Sequence, residues 1–84
     1  MGKKIKDKDM RATDFRGAYL IAADLRNTDL RAVNFIGADL RDADLRGANL
    51  STSMFLTQMQ TNSAKGDVKT TLPSHIQRPS HWIN

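Results

Sequence analysis

Eighty-four residues with a formal net charge of +4 and 39% hydrophobic content make one domain with a small core. The absence of cysteine excludes disulfide staples and cysteine-based zinc sites, and fits a reducing compartment. No apolar run reaches membrane-spanning length and the start, MGKKIKDKDM, lacks the hydrophobic stretch of a secretion signal, so a cytoplasmic address without membrane association is expected.

Residues 1–9 carry four lysines against two aspartates and read as a basic N-terminal segment or cap. Gly2 stands where a myristoylation signal would place it, but Lys6 occupies the position that requires Ser or Thr.

From residue 10 to residue 57 one period governs the chain. Apolar residues recur at every fifth position: Met10, Phe15, Leu20, Leu25, Leu30, Phe35, Leu40, Leu45, Leu50 and Phe55. On an α-helix a five-residue step scatters these side chains around every face, and on a flat strand an odd step alternates them between faces. A chain that turns a corner every five residues instead points each centre inward and stacks one coil on the last.

The other columns agree. Two places before each centre stand small residues, among them Ala18, Ala23, Thr28, Val33, Ala38, Ala43 and Ala48, which suit a second inward position beside a tight corner. One place before stand mostly Asp and Asn, which bond nearby backbone groups in turns. One place after stand six arginines, which must face water, and the fifth column holds Gly, Ala, Asn, Asp and Thr, types a corner tolerates.

The units ADLRN, ADLRD, ADLRG and ANLST resemble the A(D/N)LXX unit of the pentapeptide-repeat proteins. The resemblance implies an all-β solenoid, a right-handed quadrilateral β-helix with four pentapeptides per coil and about 2.4 coils over residues 10–57. Phe15, Phe35 and Phe55 would then stack on one side, and Phe15, Leu20, Leu25, Leu30, Phe35, Leu40, Leu45, Leu50 and Phe55 would form the core. Identity between successive segments is equal at offsets of 15 and 20, so identity alone leaves a three-sided and a four-sided coil open.

After Phe55 the register fails, because Gln58 and Gln60 fall on the two inward positions. Residues 58–84 are expected to cap the stack: Thr57 as N-cap of a short helix through Lys65, Gly66 as its stop, then an extended chain fixed by Pro73 and Pro79. Leu56, Met59, Val68, Leu72, Ile76, Trp82 and Ile83 offer apolar cover. The segment LTQMQTNSAKGDVKTTLP followed by RPSHW also looks like the closing segment of bacterial members of the family. In that family such a tail follows a longer stack, so the chain is expected to be either a short member or the C-terminal part of a longer one.

Most of the repeat's charge reads as scaffold, with six arginines against six aspartates between residues 10 and 57. The functional signal lies where the rhythm breaks: Tyr19, Ile21, Ile36, Met54 and Leu56 occupy columns that elsewhere hold Asp, Asn or Arg. They are either covered by the returning tail or form an interface with a protein partner or a second copy of the chain in a homodimer. No catalytic, metal or cofactor residues are expected. His75 and His81 lie in the proline-containing tail with no cysteine or nearby carboxylate, and His81-Trp82 reads as packing. Nucleic acid is disfavoured because paired Asp and Arg leave no continuous basic stripe. The expected function is a non-enzymatic structural or protein-interaction module. The resemblance supplies one alternative, a DNA-mimicking modulator of DNA gyrase or topoisomerase, which the neutral-to-basic surface and short stack disfavour.

Overall fold

A corner at every fifth residue leaves each side room for only a few extended residues, and the backbone pairing follows from that. In the computed structural model, which describes residues 2–83, Lys4, Asp9, Asp14 and Tyr19 form parallel bridges to Asp24, Asp29, Asn34 and Asp39. The next turn repeats the pattern through Asp24–Asp44, Asp29–Asn49 and Asn34–Met54. Partners lie 20 residues apart with a bridge every five, so a turn has four sides. Each bridge stands alone. Among the described residues β structure is confined to repeated single bridges, since every corner interrupts a side before a ladder can extend, and the one regular element is a short helix.

Two hydrogen bonds make each bridge. Leu25 N–H donates to Asp44 O at 2.9 Å, and Asp44 N–H donates to Ala23 O at 2.8 Å. The corners close by bonds such as Ala23 N–H to Leu20 O at 3.1 Å and Ala38 N–H to Phe35 O at 3.0 Å. From Asp7 to Gly47 the residue before the corner's end has positive φ, from 55° at Asn27 to 72° at Gly47, as the third residue of a type II turn must; Thr52, at the last corner, does not. Glycine meets this demand without strain and Asn and Asp tolerate it, whereas Ala12, Ala22 and Ala32 adopt it at a cost.

Leu20, Leu25, Leu30, Phe35, Leu40, Leu45 and Leu50 are fully buried, with Ala23, Thr28, Val33, Ala43 and Ala48 beside them. Phe15, at the first turn, is partly buried and its ring lies 6.2 Å from that of Phe35. Phe55 departs from expectation. It is 58% exposed, whereas Leu56, expected outside, is 2% exposed and takes the core position. The cause is an exit turn. Gln58 and Gln60 cannot fill the next apolar positions, so the chain leaves the coil after Met54 with Phe55 at φ 63°, a left-handed conformation that a bulky residue adopts only under strain.

Both boundaries expected for the repeat also shift. Lys4 and Asp9 pair with the second turn, so the coil already includes residues assigned to a basic cap; Ile5, in phase with the leucines, packs against the core. At the other end α1 (Gln58–Asn62) forms with Thr57 as N-cap. Thr57 Oγ1 accepts from Gln60 N–H at 3.2 Å and Gln60 Oε1 accepts from Thr57 N–H at 2.8 Å, a reciprocal capping box. The helix stops at Asn62 rather than Lys65, because Lys65 is drawn into a bridge with Asp44, and Thr71 then pairs with Asn49. The tail therefore completes two sides of the last turn.

Gly66 serves packing rather than helix termination. A Cβ there would lie 2.4 Å from the Trp82 ring, which is 2% exposed and whose Nε1–H donates to Ala64 O at 3.0 Å. Ile76 is buried and Leu72 partly so, while Val68, Met59 and Ile83 are exposed and give none of the cover expected of them. Arg78 ties the tail together through Asp67 O and Thr70 O.

Candidate interaction surface

The wall of the coil is neutralised unit by unit. In each of six units an aspartate accepts from the arginine two residues on: Asp24 Oδ1 takes Arg26 Nε–H at 2.8 Å and Asp24 Oδ2 takes Nη2–H at 2.8 Å. Asp9–Arg11, Asp14–Arg16, Asp29–Arg31, Asp39–Arg41 and Asp44–Arg46 repeat this fork, and each Oδ1 also accepts the arginine's backbone N–H. Such a pair fixes the turn as well as the charge.

The side-chain bonds from arginine hold the carboxylates below their ordinary range, to about 2 at Asp9 and Asp24 and downward at Asp14, Asp29, Asp39 and Asp44. Because the folded values are depressed, the unfolded chain takes up protons first as pH falls. The stabilisation is complete above the unfolded value near 3.8 and disappears as pH falls through about 2. Thermal melts followed by circular dichroism should show Tm level from neutral pH to about 5 and falling between about 4 and 2. A Tm unchanged at pH 2 would mean that the forks carry no stability.

Of the five residues that break the rhythm, four remain on the surface. Tyr19 is 72% exposed, Ile36 and Met54 about half so, and Ile21 is partly covered. Tyr19 bridges to Asp39, so Tyr19, the Asp39–Arg41 fork and the exit turn above them follow one side of the coil. Ile36 and Met54 belong to the neighbouring side, where Asn34 bridges to Met54. Leu56 is withdrawn from this set and Phe55 replaces it. Phe55 and Met59, 81% exposed, border a hollow with Gly37, Arg41 and Gln60. Sequence periodicity could not reveal Phe55, which shares the phase of the core; the glutamines that follow it were the only signal.

His75 Nε2 lies 2.9 Å from Leu56 O and His81 Nε2 lies 3.1 Å from Ala64 O, so both rings bind main-chain carbonyls of the cap. His81 meets Trp82 edge-on with centroids 6.4 Å apart. Among the described residues no three His, Asp or Glu side chains gather as metal ligands would.

A chain that pairs with itself every 20 residues and repeats one five-residue turn chemistry is a repeat protein. The family model for pentapeptide repeats matches residues 13–51 in eight copies, so this segment is similar to the repeats of that family. An uncharacterized Bacillus subtilis (strain 168) protein, YybG, is 58% identical over 30 residues, covering 36% of this chain and 11% of the relative. The match thus spans about a tenth of that relative's length. No solved structure matches the chain.

Proposed function

We propose that the chain is a non-enzymatic protein-interaction module of the cytoplasm, built as a right-handed quadrilateral β-helix over residues 10–57 with its extension at each end. Parallel crossovers within one sheet are right-handed almost without exception, which supports the handedness. The observation that carries the interaction reading is the contrast on the wall. Arginine and aspartate answer each other within each unit, whereas Tyr19 and Ile36 lie on the outside with apolar surface toward water. No helix among the described residues is long and apolar enough to cross a membrane.

The partner is a protein or a second copy of the chain. Changing Tyr19→Asp together with Ile21→Arg should leave the circular dichroism spectrum intact and lower Tm only modestly, since an exposed substitution such as that at Tyr19 costs about 0.5 kcal/mol or less and Ile21 is only partly covered. The same pair of changes should abolish co-purification of the partner, or convert a dimer to monomer by light scattering. Unaltered mass and unaltered partners would remove Tyr19 and Ile21 from the interface.

A further inference from the structure

The first turn of the coil is paired along one edge. Phe15 N–H donates upward to Asn34 O at 2.9 Å and Leu20 N–H to Asp39 O at 3.0 Å, while Asp29 N–H of the second turn reaches down to Lys8 O at 3.0 Å. Asp29, Asn34 and Asp39 thus direct both backbone groups at the turn below, as Asp39 N–H does to Ala18 O at 2.9 Å. The equivalent groups of Asp9, Asp14 and Tyr19 point off the end of the stack. Among the described residues neither the N–H nor the C=O of these three has a hydrogen-bond partner, and all three residues are exposed. Three sides of an open end therefore carry a donor and an acceptor together, repeated every five residues.

Inside this rim lies apolar surface. Ile5, Met10 and Phe15 are only partly buried, whereas Leu25, Leu30 and Phe35, one turn above them, are fully so. The opposite end of the coil is covered by α1 and the returning tail, with Trp82 buried there. A surface that matches the open rim must turn the same corners at the same spacing, and this edge itself does so. Turned end over end about a two-fold axis, a second copy runs antiparallel to the first. In an antiparallel pair, facing residues that each offer N–H and C=O exchange two hydrogen bonds, which is what Asp9, Asp14 and Tyr19 present.

Two side chains oppose that contact. The bridges from Lys4 to Asp24 and from Asp9 to Asp29 place Lys3 in the inward column of Ala23 and Ala43, and Lys8 in that of Thr28 and Ala48. Each of those later residues is at most 1% exposed, while both lysines are exposed. A long side chain that starts in the core-facing column of the end turn reaches water past the open end, so both ammonium groups stand where the apolar floor of a second copy would come. The carboxylates of this turn do not serve as their partners. Asp7, Asp9 and Asp14 are on the wall, held by Lys6, Arg11 and Arg16 at 3.4, 2.7 and 2.8 Å. Two such faces in contact would enclose the lysines of both copies without a counter-charge.

We propose that the N-terminal edge fits a second copy of the chain and that Lys3 and Lys8 bar this pairing, leaving the edge open. Their place in the inward columns carries the effect rather than the charge they add, since Lys4 and Lys6 add as much charge on the outside. The proposal does not rest on the interaction-module reading.

The test compares three nitrogen-15-labelled chains: the unaltered one, Lys3→Ala with Lys8→Thr, and Lys4→Ala with Lys6→Ala. The first pair of changes copies Ala23 and Thr28, which fill the same columns one turn above. Light scattering and amide exchange are followed up to about 1 mM protein, and the Lys3→Ala, Lys8→Thr chain is expected to associate on the order of 100-fold more tightly than the other two. Its Asp9 and Asp14 amides should exchange more slowly in proportion to the associated fraction, whereas in the other two chains they exchange freely. Slowed exchange at Asp9 and Asp14 in the unaltered chain would overturn the proposal, as would a Lys3→Ala, Lys8→Thr chain that associates no more than the unaltered one. Equal association of the Lys4→Ala, Lys6→Ala chain would overturn it by assigning the effect to net charge. A dimer built on the Tyr19 and Ile21 side chains raises the mass of all three chains alike and leaves the Asp9 and Asp14 amides free, so the broader reading stands or falls separately.

Discussion

Replacing Gly66 with alanine is expected to lower the melting temperature by roughly 12–24 °C, corresponding to about 3 kcal/mol in a domain of this size. The added methyl would lie 2.4 Å from Cδ2 and Cε3 of Trp82 and 2.6 Å from Cζ3, closer than any real contact. A rigid indole that is 2% exposed cannot yield a few tenths of an ångström at so many atoms, so it must leave its seat. With it goes the bond from Nε1–H to Ala64 O, beside the Lys65 strand that closes the last turn. Trp82 is the one tryptophan of the chain, so its fluorescence reports the event directly. The emission of Gly66→Ala should move to the red in the folded state, and Trp82→Ala should destabilise by about 3–5 kcal/mol. An unchanged Tm with unchanged emission would show that the ring does not rest on Gly66.

The second large effect separates two neighbours whose roles the sequence interchanges. Leu56→Ala removes a core side chain that is 2% exposed and should cost about 2–5 kcal/mol, a fall in Tm of roughly 8–40 °C. Phe55→Gly should cost almost nothing. It relieves a left-handed conformation worth about 1–2 kcal/mol in a non-glycine residue, offset by about 0.5–1 kcal/mol for glycine's freedom in the unfolded chain. It also sheds apolar surface that is already in water. Were Phe55 the third ring of a Phe15–Phe35 stack, the same change would cost about 3–5 kcal/mol, so thermal melts of the two variants distinguish the arrangements without ambiguity.

How much of this was legible depends on which residues carry local instructions. The phase of the leucines and the small residues two places before them determine which side chains are buried, because every unit meets the same corner. Ile5 lay in that phase and its burial was readable; the lysines around it drew attention to charge instead. Four sides rather than three could not be read from identity between segments, because the units are so alike that any multiple of five aligns them. It is set by which coil pairs with which, a long-range choice. The tail was legible at its start, where Thr57 and Gln60 carry a local capping pattern, and illegible beyond Asn62. There the chain answers to partners some twenty residues away: Lys65 to Asp44, Thr71 to Asn49, Gly66 to Trp82.

The forks between aspartate and arginine bear on how such a chain can change length. Each pair is closed within a single five-residue unit, with the tightest contacts two residues apart and only longer approaches, such as Arg11 to Asp29 at 3.7 Å, reaching the next turn. Four whole units can therefore be duplicated or deleted without separating any aspartate from the arginine of its own fork. A gene that copies one turn inherits a self-contained part, and the array can grow by tandem duplication while the cap travels unchanged at the end.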